Sequence, residues 1–220
     1  MKLIADSFVW PFRGTWRASW AIGLVVVLLS PLLFIPLLGY AVAATRAAEV
    51  DPSAGPPPWR LGDGLFWEGA SMFAAIALSL LPYLLAFWPL GDALLAARVW
   101  PASDPALASF DAHVLAGLIL LLPWGLVALV LLPHATATFA ATGRRRDLFD
   151  LGAAIRGVRT DFATWNVAVA AIVTGWAIGI ACVGLLCVGL VPGVFYAILV
   201  SAHASAALER KKPDPHPSPG

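Results

Sequence analysis

Of 220 residues, 60% are hydrophobic and 12% are charged, against roughly 45–50% and about 25% in soluble globular proteins. The 14 basic and 13 acidic residues all avoid four stretches: 28 residues between Arg17 and Arg46, 23 between Glu68 and Asp92, 32 between Asp111 and Arg144, and 47 between Asp161 and Glu209. A helix crosses a bilayer in about 20 apolar residues, so this distribution excludes an ordinary soluble domain, and a net charge of +1 excludes the broad basic footprint of a nucleic-acid binder.

Residues 1–17 place Lys2, Arg13 and Arg17 among Trp10, Phe12 and Trp16, a mixture that reads as a surface segment at headgroup level. A first span is predicted over residues 20–40, kinked or broken at Pro31 and Pro36 because each lacks a backbone donor. That run is longer than a signal-peptide core and has no small-residue cleavage site, so no cleavable signal is expected. Residues 51–64 hold Pro52, Pro56, Pro57 and Pro58 and read as a stiff, extended loop with a turn before Phe66. A second span follows over residues 69–90, with Pro82 inside and Trp67 and Trp88 near its ends. The connection over residues 91–111 sets Asp92, Asp104 and Asp111 against Arg98 alone and is broken by Pro101 and Pro105. A third span covers residues 112–132 and continues as a helix towards Thr142.

Residues 144–162 differ in kind. Leu151, Ile155, Val158 and Phe162 recur at helical spacing while Arg156 and Arg159 take other faces, the pattern of an amphipathic helix lying in the interface, with Asp147 or Asp150 as its cap. The 47-residue stretch suits two spans, residues 166–183 and 188–207, joined by a turn within residues 184–189, or alternatively at Pro192-Gly193. The fold class is therefore an all-α, polytopic membrane helix bundle of about five hydrophobic spans plus one amphipathic interfacial helix. Its parts are an interfacial N-terminal segment (1–17), a membrane helical domain (18–208) and a disordered, Pro-rich tail (209–220).

Basic residues indicate orientation. With five spans, the side carrying residues 144–161 and the tail collects ten Lys and Arg against four, which by the positive-inside rule makes it cytoplasmic. If the proline-broken first run re-enters without crossing, the division becomes thirteen against one.

Residues able to carry chemistry are few. No Asp, Glu, Lys or Arg falls in the middle of a predicted span, whereas ion pathways and proton relays use such groups. His113, His134 and His203 lie near span ends; His134 and His203 could approach one another, but a metal site needs further ligands, so no metal or cofactor is expected. Cys182 and Cys187 match neither a redox nor a zinc spacing. Thr136, Thr138, Thr142, Ser201 and Ser205 read as helix-joining groups, Gly175 and Gly179 as a close packing contact between spans, and Trp124 and Trp176 as core. No phosphate-cradling loop and no nucleophile-and-base motif is present, so no catalytic residue is assigned.

Four places carry a family resemblance: the Pro-containing first span ending in Gly39-Tyr40 with Arg46 soon after; Pro58-Trp59 leading through Asp63 to Gly69; Leu132-Pro133 followed by Phe139, Gly143 and Phe149; and a closing hairpin with Gly184, Gly189, Phe195 and Tyr196. In these the chain resembles an uncharacterised family of prokaryotic membrane proteins, domain of unknown function 4013, up to about Leu208. It departs from that pattern in a richer Pro loop and a Pro-rich tail. The resemblance implies a membrane domain and no catalytic residue. The expected role is that of a non-enzymatic accessory or scaffold protein of the cell (inner) membrane, binding membrane lipids or a membrane protein partner and no nucleic acid; the alternative is a small transporter or channel component, for which Ser30, Ser79, Thr174, Thr136 and Thr138 could supply a polar path.

Overall fold

The computed structural model describes residues 2–60, 62–98, 104–184 and 189–210. Among the described residues it holds eight α-helices and no strand: α1 (Lys2–Val9), α2 (Trp16–Leu28), α3 (Ser30–Val50), α4 (Asp63–Ala96), α5 (Pro105–Thr142), α6 (Leu151–Thr160), α7 (Phe162–Ala181) and α8 (Leu190–Arg210). Five are long and apolar enough to cross a membrane (α3, α4, α5, α7 and α8), and α2 is a shorter apolar helix. The chain forms two compact units, one of Met1–Phe73 with Leu131–Gly220, the other of Ala74–Val130.

The first span departs from the sequence expectation. Pro31 clashes with the carbonyl one turn before it, so α2 ends at Leu28, and the backbone leaves helical geometry at Leu29 (φ −92°, ψ 19°) and again at Leu33 (φ −110°, ψ 22°). The apolar run therefore becomes α2 and α3 rather than one span over 20–40, and the helix able to cross starts at Ser30. An unbroken helix from Trp16 to Val50 would be about 52 Å long at about 1.5 Å per residue. Yet Arg13, before α2, donates to the Pro52 carbonyl after α3 at 3.2 Å, and Gly14 lies against the Ala54 carbonyl. The two helices fold back on each other. The shift also places Arg46 and Glu49, which lie beyond the span predicted over residues 20–40, in the last turns of α3.

Close backbone approach organises the first unit. A Cβ at Gly39 would strike the Leu65 carbonyl, and one at Gly69 the Ile35 carbonyl, so α3 and α4 cross antiparallel at these two glycines. The α7–α8 pair is likewise antiparallel: Gly175 faces Val200, and a Cβ at Gly179 would lie 2.6 Å from the Gly193 carbonyl oxygen. The Gly175/Gly179 pair thus packs two spans of the same molecule. Leu37, Tyr40, Ala44 and Ala48 of α3 share a core with Phe195, Leu199, Ala202 and Ala206 of α8.

Residues 1–17 are not simply a surface segment. Trp10 is fully buried and belongs to that core, because α1 and the turn after it lie against α7 and α8. Trp176, expected in the core, is 38% exposed, and Trp124 is half-buried. Pro192 and Gly193 lie inside α8, which removes the alternative turn there; the other proposed turn falls largely on residues 185–188 and the disordered tail on 211–220, outside the described residues. The connection predicted over 91–111 is shorter than expected: Asp92 ends up within α4 and Asp111 within α5. Asp104 caps α5, its carboxylate accepting from the Ala106 amide at 2.8 Å.

Candidate functional site

The segment between α5 and α7 is built by a sequence of helix stops and caps. Gly143 ends α5 with φ +68°, a left-handed conformation that suits glycine, and its amide reaches the Phe139 carbonyl at 2.8 Å. Asp147 then collects the Thr142 hydroxyl at 2.6 Å and the Arg144 Nε at 3.1 Å, with Arg146 at 3.8 Å. The Thr142 hydroxyl first, and then Arg144, hold the Asp147 carboxyl below the usual carboxylate range. Asp150 caps α6, accepting from the Ala153 amide at 2.7 Å, and Asp161 caps α7, accepting from the Thr164 amide at 3.0 Å. Of the two caps suggested by sequence, Asp150 is the one used.

With its three carboxylates so engaged, the segment presents a basic surface. Arg145 stands over the Trp67 ring at 5.9 Å; Arg156 and Arg159 are exposed and, among the described residues, form no ion pair. Helix α6 buries Ala154 and sets Gly157 against the His134 ring. Its larger apolar residues stay outside: Leu151 is 48% and Ile155 38% exposed, flanked by exposed Phe149 and Phe162. An uncovered apolar stripe next to guanidinium groups is the arrangement of a helix that lies on a membrane surface.

Polar side chains elsewhere are engaged inside the bundle. His203 and Ser7, both buried, meet at 2.9 Å between Nδ1 and Oγ, and the Trp10 ring lies 5.5 Å from the imidazole. The single Ser7 hydroxyl proton goes to the Leu3 carbonyl at 2.9 Å, so Nδ1–H donates to Ser7. That polarity is opposite to a serine activated by a histidine base. His134 has its own neighbour, Gly157; the two histidines thus serve different elements, and among the described residues no group of three or more His, Cys, Asp or Glu could hold a metal ion. His113 belongs to the second unit, its Nδ1 2.8 Å from the Ser109 carbonyl.

Sequence reasoning missed the Arg46 contacts: Arg46 reaches Glu68 at 2.8 Å and the Ala140 carbonyl at 2.8 Å, joining α3, α4 and α5 at one guanidinium. The charge-free stretch that ends at Arg46 was the available signal, since a cation one or two turns inside a span needs partners. The polar-path residues divide among separate contacts. Thr136 donates to the Met72 sulfur at 3.7 Å, Thr138 to Glu209 at 2.7 Å and Ser79 to its own helix, while Thr174 is exposed and Ser30 half-buried. Cys182 is a free, half-buried thiol; Cys187 lies outside the described residues.

A family model described as "Protein of unknown function (DUF4013)" matches residues 22–200, and the chain belongs to that family. No curated protein and no solved structure matches it.

Proposed function

We propose that this DUF4013 member is a non-enzymatic accessory or scaffold protein of the cell (inner) membrane, docking anionic lipids and a membrane protein partner on the face formed by Arg144, Arg145, Arg146 and α6. The observation that carries this reading is the uncovered Leu151–Ile155 stripe beside Arg156 and Arg159. Near an anionic surface each such cation contributes about 1 kcal/mol. The reversed polarity of the Ser7–His203 contact supports a role without catalysis. The separate engagement of Thr136, Thr138 and Ser79 weighs against the transporter or channel alternative, which needs such groups on one path.

The folded-back α2–α3 pair supports one orientation. It leaves residues 2–15 at the same end of the pair as residues 51–60, so counting the five long helices puts thirteen of the fourteen Lys and Arg on the side of the C-terminus and Arg98 alone on the other. The positive-inside rule makes the thirteen-residue side cytoplasmic.

Replacing Arg144, Arg145 and Arg146 together by Glu tests the reading. Retention of anionic phospholipid by the purified protein in detergent-free polymer discs is expected to fall by more than about tenfold, with helix content intact. Normal insertion and unchanged lipid retention would remove the proposal. Mass spectrometry of the discs identifies any stoichiometric protein partner.

A further inference from the structure

In the second unit, α4 and α5 enclose an open cleft of about 490 Å³ lined chiefly by Phe87, Trp88, Ser109, Phe110 and His113. The Trp88 and Phe87 rings lie 4.9 and 5.9 Å from the His113 ring, and Trp88 is 64% and Phe110 66% exposed, so aromatic faces stand open rather than packed.

The polar atoms of this cleft are incomplete. His113 Nδ1–H donates to the Ser109 carbonyl at 2.8 Å, which leaves Nε2 of the neutral ring as a bare acceptor. Across from it, at 3.7 Å, is Asp92 Oδ1, a second acceptor and too far for a hydrogen bond. Nε2 is buried and has no hydrogen-bond partner, and Gly91 leaves room for the imidazole where a Cβ would collide with it. The Asp92 carboxylate, 63% exposed, has lone pairs open to a donor, and a carboxylate beside open aromatic faces calls for a cation. A primary ammonium is both. A quaternary ammonium satisfies the rings but carries no N–H for Asp92.

Depth identifies the source. Asp92 is the first charge after the charge-free run that follows Glu68, and Asp111 the last before the run that ends at Arg144, so the cleft sits where the apolar helices reach headgroup level. Asp92, Asp104 and Asp111 outnumber Arg98 there, giving a field that attracts cations. Along α5, Val114 and Leu118 are exposed and apolar and suit an acyl chain.

We propose that this cleft binds the primary-ammonium headgroup of a membrane phospholipid of the ethanolamine type, held between the Asp92 carboxylate and the Trp88 face. The inference rests on the lipid-binding side of the function proposed above, but it concerns an amine lipid rather than an anionic one. The arginine reversal leaves it untouched, so the two can fail separately.

The test uses the full chain with Arg144, Arg145 and Arg146 replaced by Glu, so that the anionic glycerol lipid does not bind at the arginine face. It is stripped of lipid and titrated, by native mass spectrometry, with ethanolamine, trimethylated (choline) and glycerol phospholipids of identical acyl chains. Ethanolamine lipid is expected to bind about tenfold more tightly than the glycerol lipid, with the choline lipid between. Asp92→Asn is expected to abolish the preference, and Trp88→Leu to weaken both amine lipids. Asp92 is 63% exposed, so its variant should fold, which circular dichroism verifies. Equal binding of ethanolamine and glycerol lipids, choline binding at least as strong as ethanolamine, or an unchanged preference in Asp92→Asn would each overturn the proposal. Displacement of the lipid by an equal concentration of free ethanolamine would overturn its assignment to a lipid.

Discussion

Trp59 lies flat on Tyr40, ring centroids 3.8 Å apart and planes 5° from parallel. The stack fastens the Pro-rich segment to the bundle, because Phe195 of α8 contacts both rings, at 5.9 Å from Tyr40 and 6.4 Å from Trp59. The backbone is fastened as well. The Tyr40 hydroxyl and the Ser19 hydroxyl both donate to the Pro57 carbonyl, at 2.9 and 2.8 Å, and the Trp59 indole donates to the Ser19 carbonyl at 2.9 Å. An extended, proline-stiffened segment held by aromatic faces and hydrogen bonds to its carbonyls is how grooves bind Pro-rich peptides; here the peptide belongs to the same chain.

Sharing one acceptor predicts coupling. Tyr40→Phe and Ser19→Ala each remove one of two donors, at about 1 kcal/mol apiece. The double variant leaves the Pro57 carbonyl without either and should lose more than the sum. Unfolding in mixed micelles across the four-protein cycle measures this, and strict additivity would contradict the shared acceptor.

Gly179→Ala should damage the α7–α8 pair far more than Gly175→Ala. At Gly179 the new methyl meets backbone, the Gly193 carbonyl oxygen at 2.6 Å, whereas at Gly175 it meets the Val200 side chain at 2.9 Å. A side chain can rotate away and a helix backbone cannot, so a loss above about 2 kcal/mol is expected at 179 against about 1 at 175. Thermal aggregation midpoints of the two variants in one detergent would rank them.

Ser7→Ala deprives the buried His203 Nδ1–H of its acceptor, with an expected loss of about 1–3 kcal/mol. Adding His203→Phe keeps a ring of similar shape and removes the orphaned donor, so the double variant should recover part of that stability. If it is worse than either single change, packing rather than the hydrogen bond governs the site.

Asp147 sets a pH dependence. Its carboxyl is held below the unfolded value of about 3.9 by Thr142 and Arg144, so ionised Asp147 stabilises the turn after α5. That contribution is complete above about pH 4 and disappears as the pH falls through the lower, folded value. Amide exchange at Asp147, whose N–H bonds the Arg144 carbonyl at 3.0 Å, should accelerate relative to mid-α5 amides below pH 4. Asp147→Asn should remove that pH dependence.

The spans were legible because exclusion of charge acts on every residue of a long stretch, and α6 because its apolar spacing is local. The start of the first span was misplaced since Pro31 acts backward, ending α2 one turn earlier and restarting the helix at Ser30. Arg46 then falls inside α3, which only its distant partners Glu68 and Ala140 make tolerable. Trp10 and Trp16 look alike in sequence, each near a basic residue; Trp10 is buried through a contact with His203, which no local pattern reveals. The short family motifs were more informative than their lengths suggest. Gly39 and Gly69 belong to the same helix crossing, and Tyr40, Trp59 and Phe195 form one aromatic cluster.

The folded-back α2–α3 pair also bears on duplication. In the orientation proposed above, the pair adds no net crossing before α4 while the four remaining long helices alternate, so α1 and the end of α8 finish in the same compartment. A second copy joined directly after α8 would begin where the first begins and keep its orientation without an added membrane-crossing linker, so head-to-tail gene fusion is topologically open to this fold.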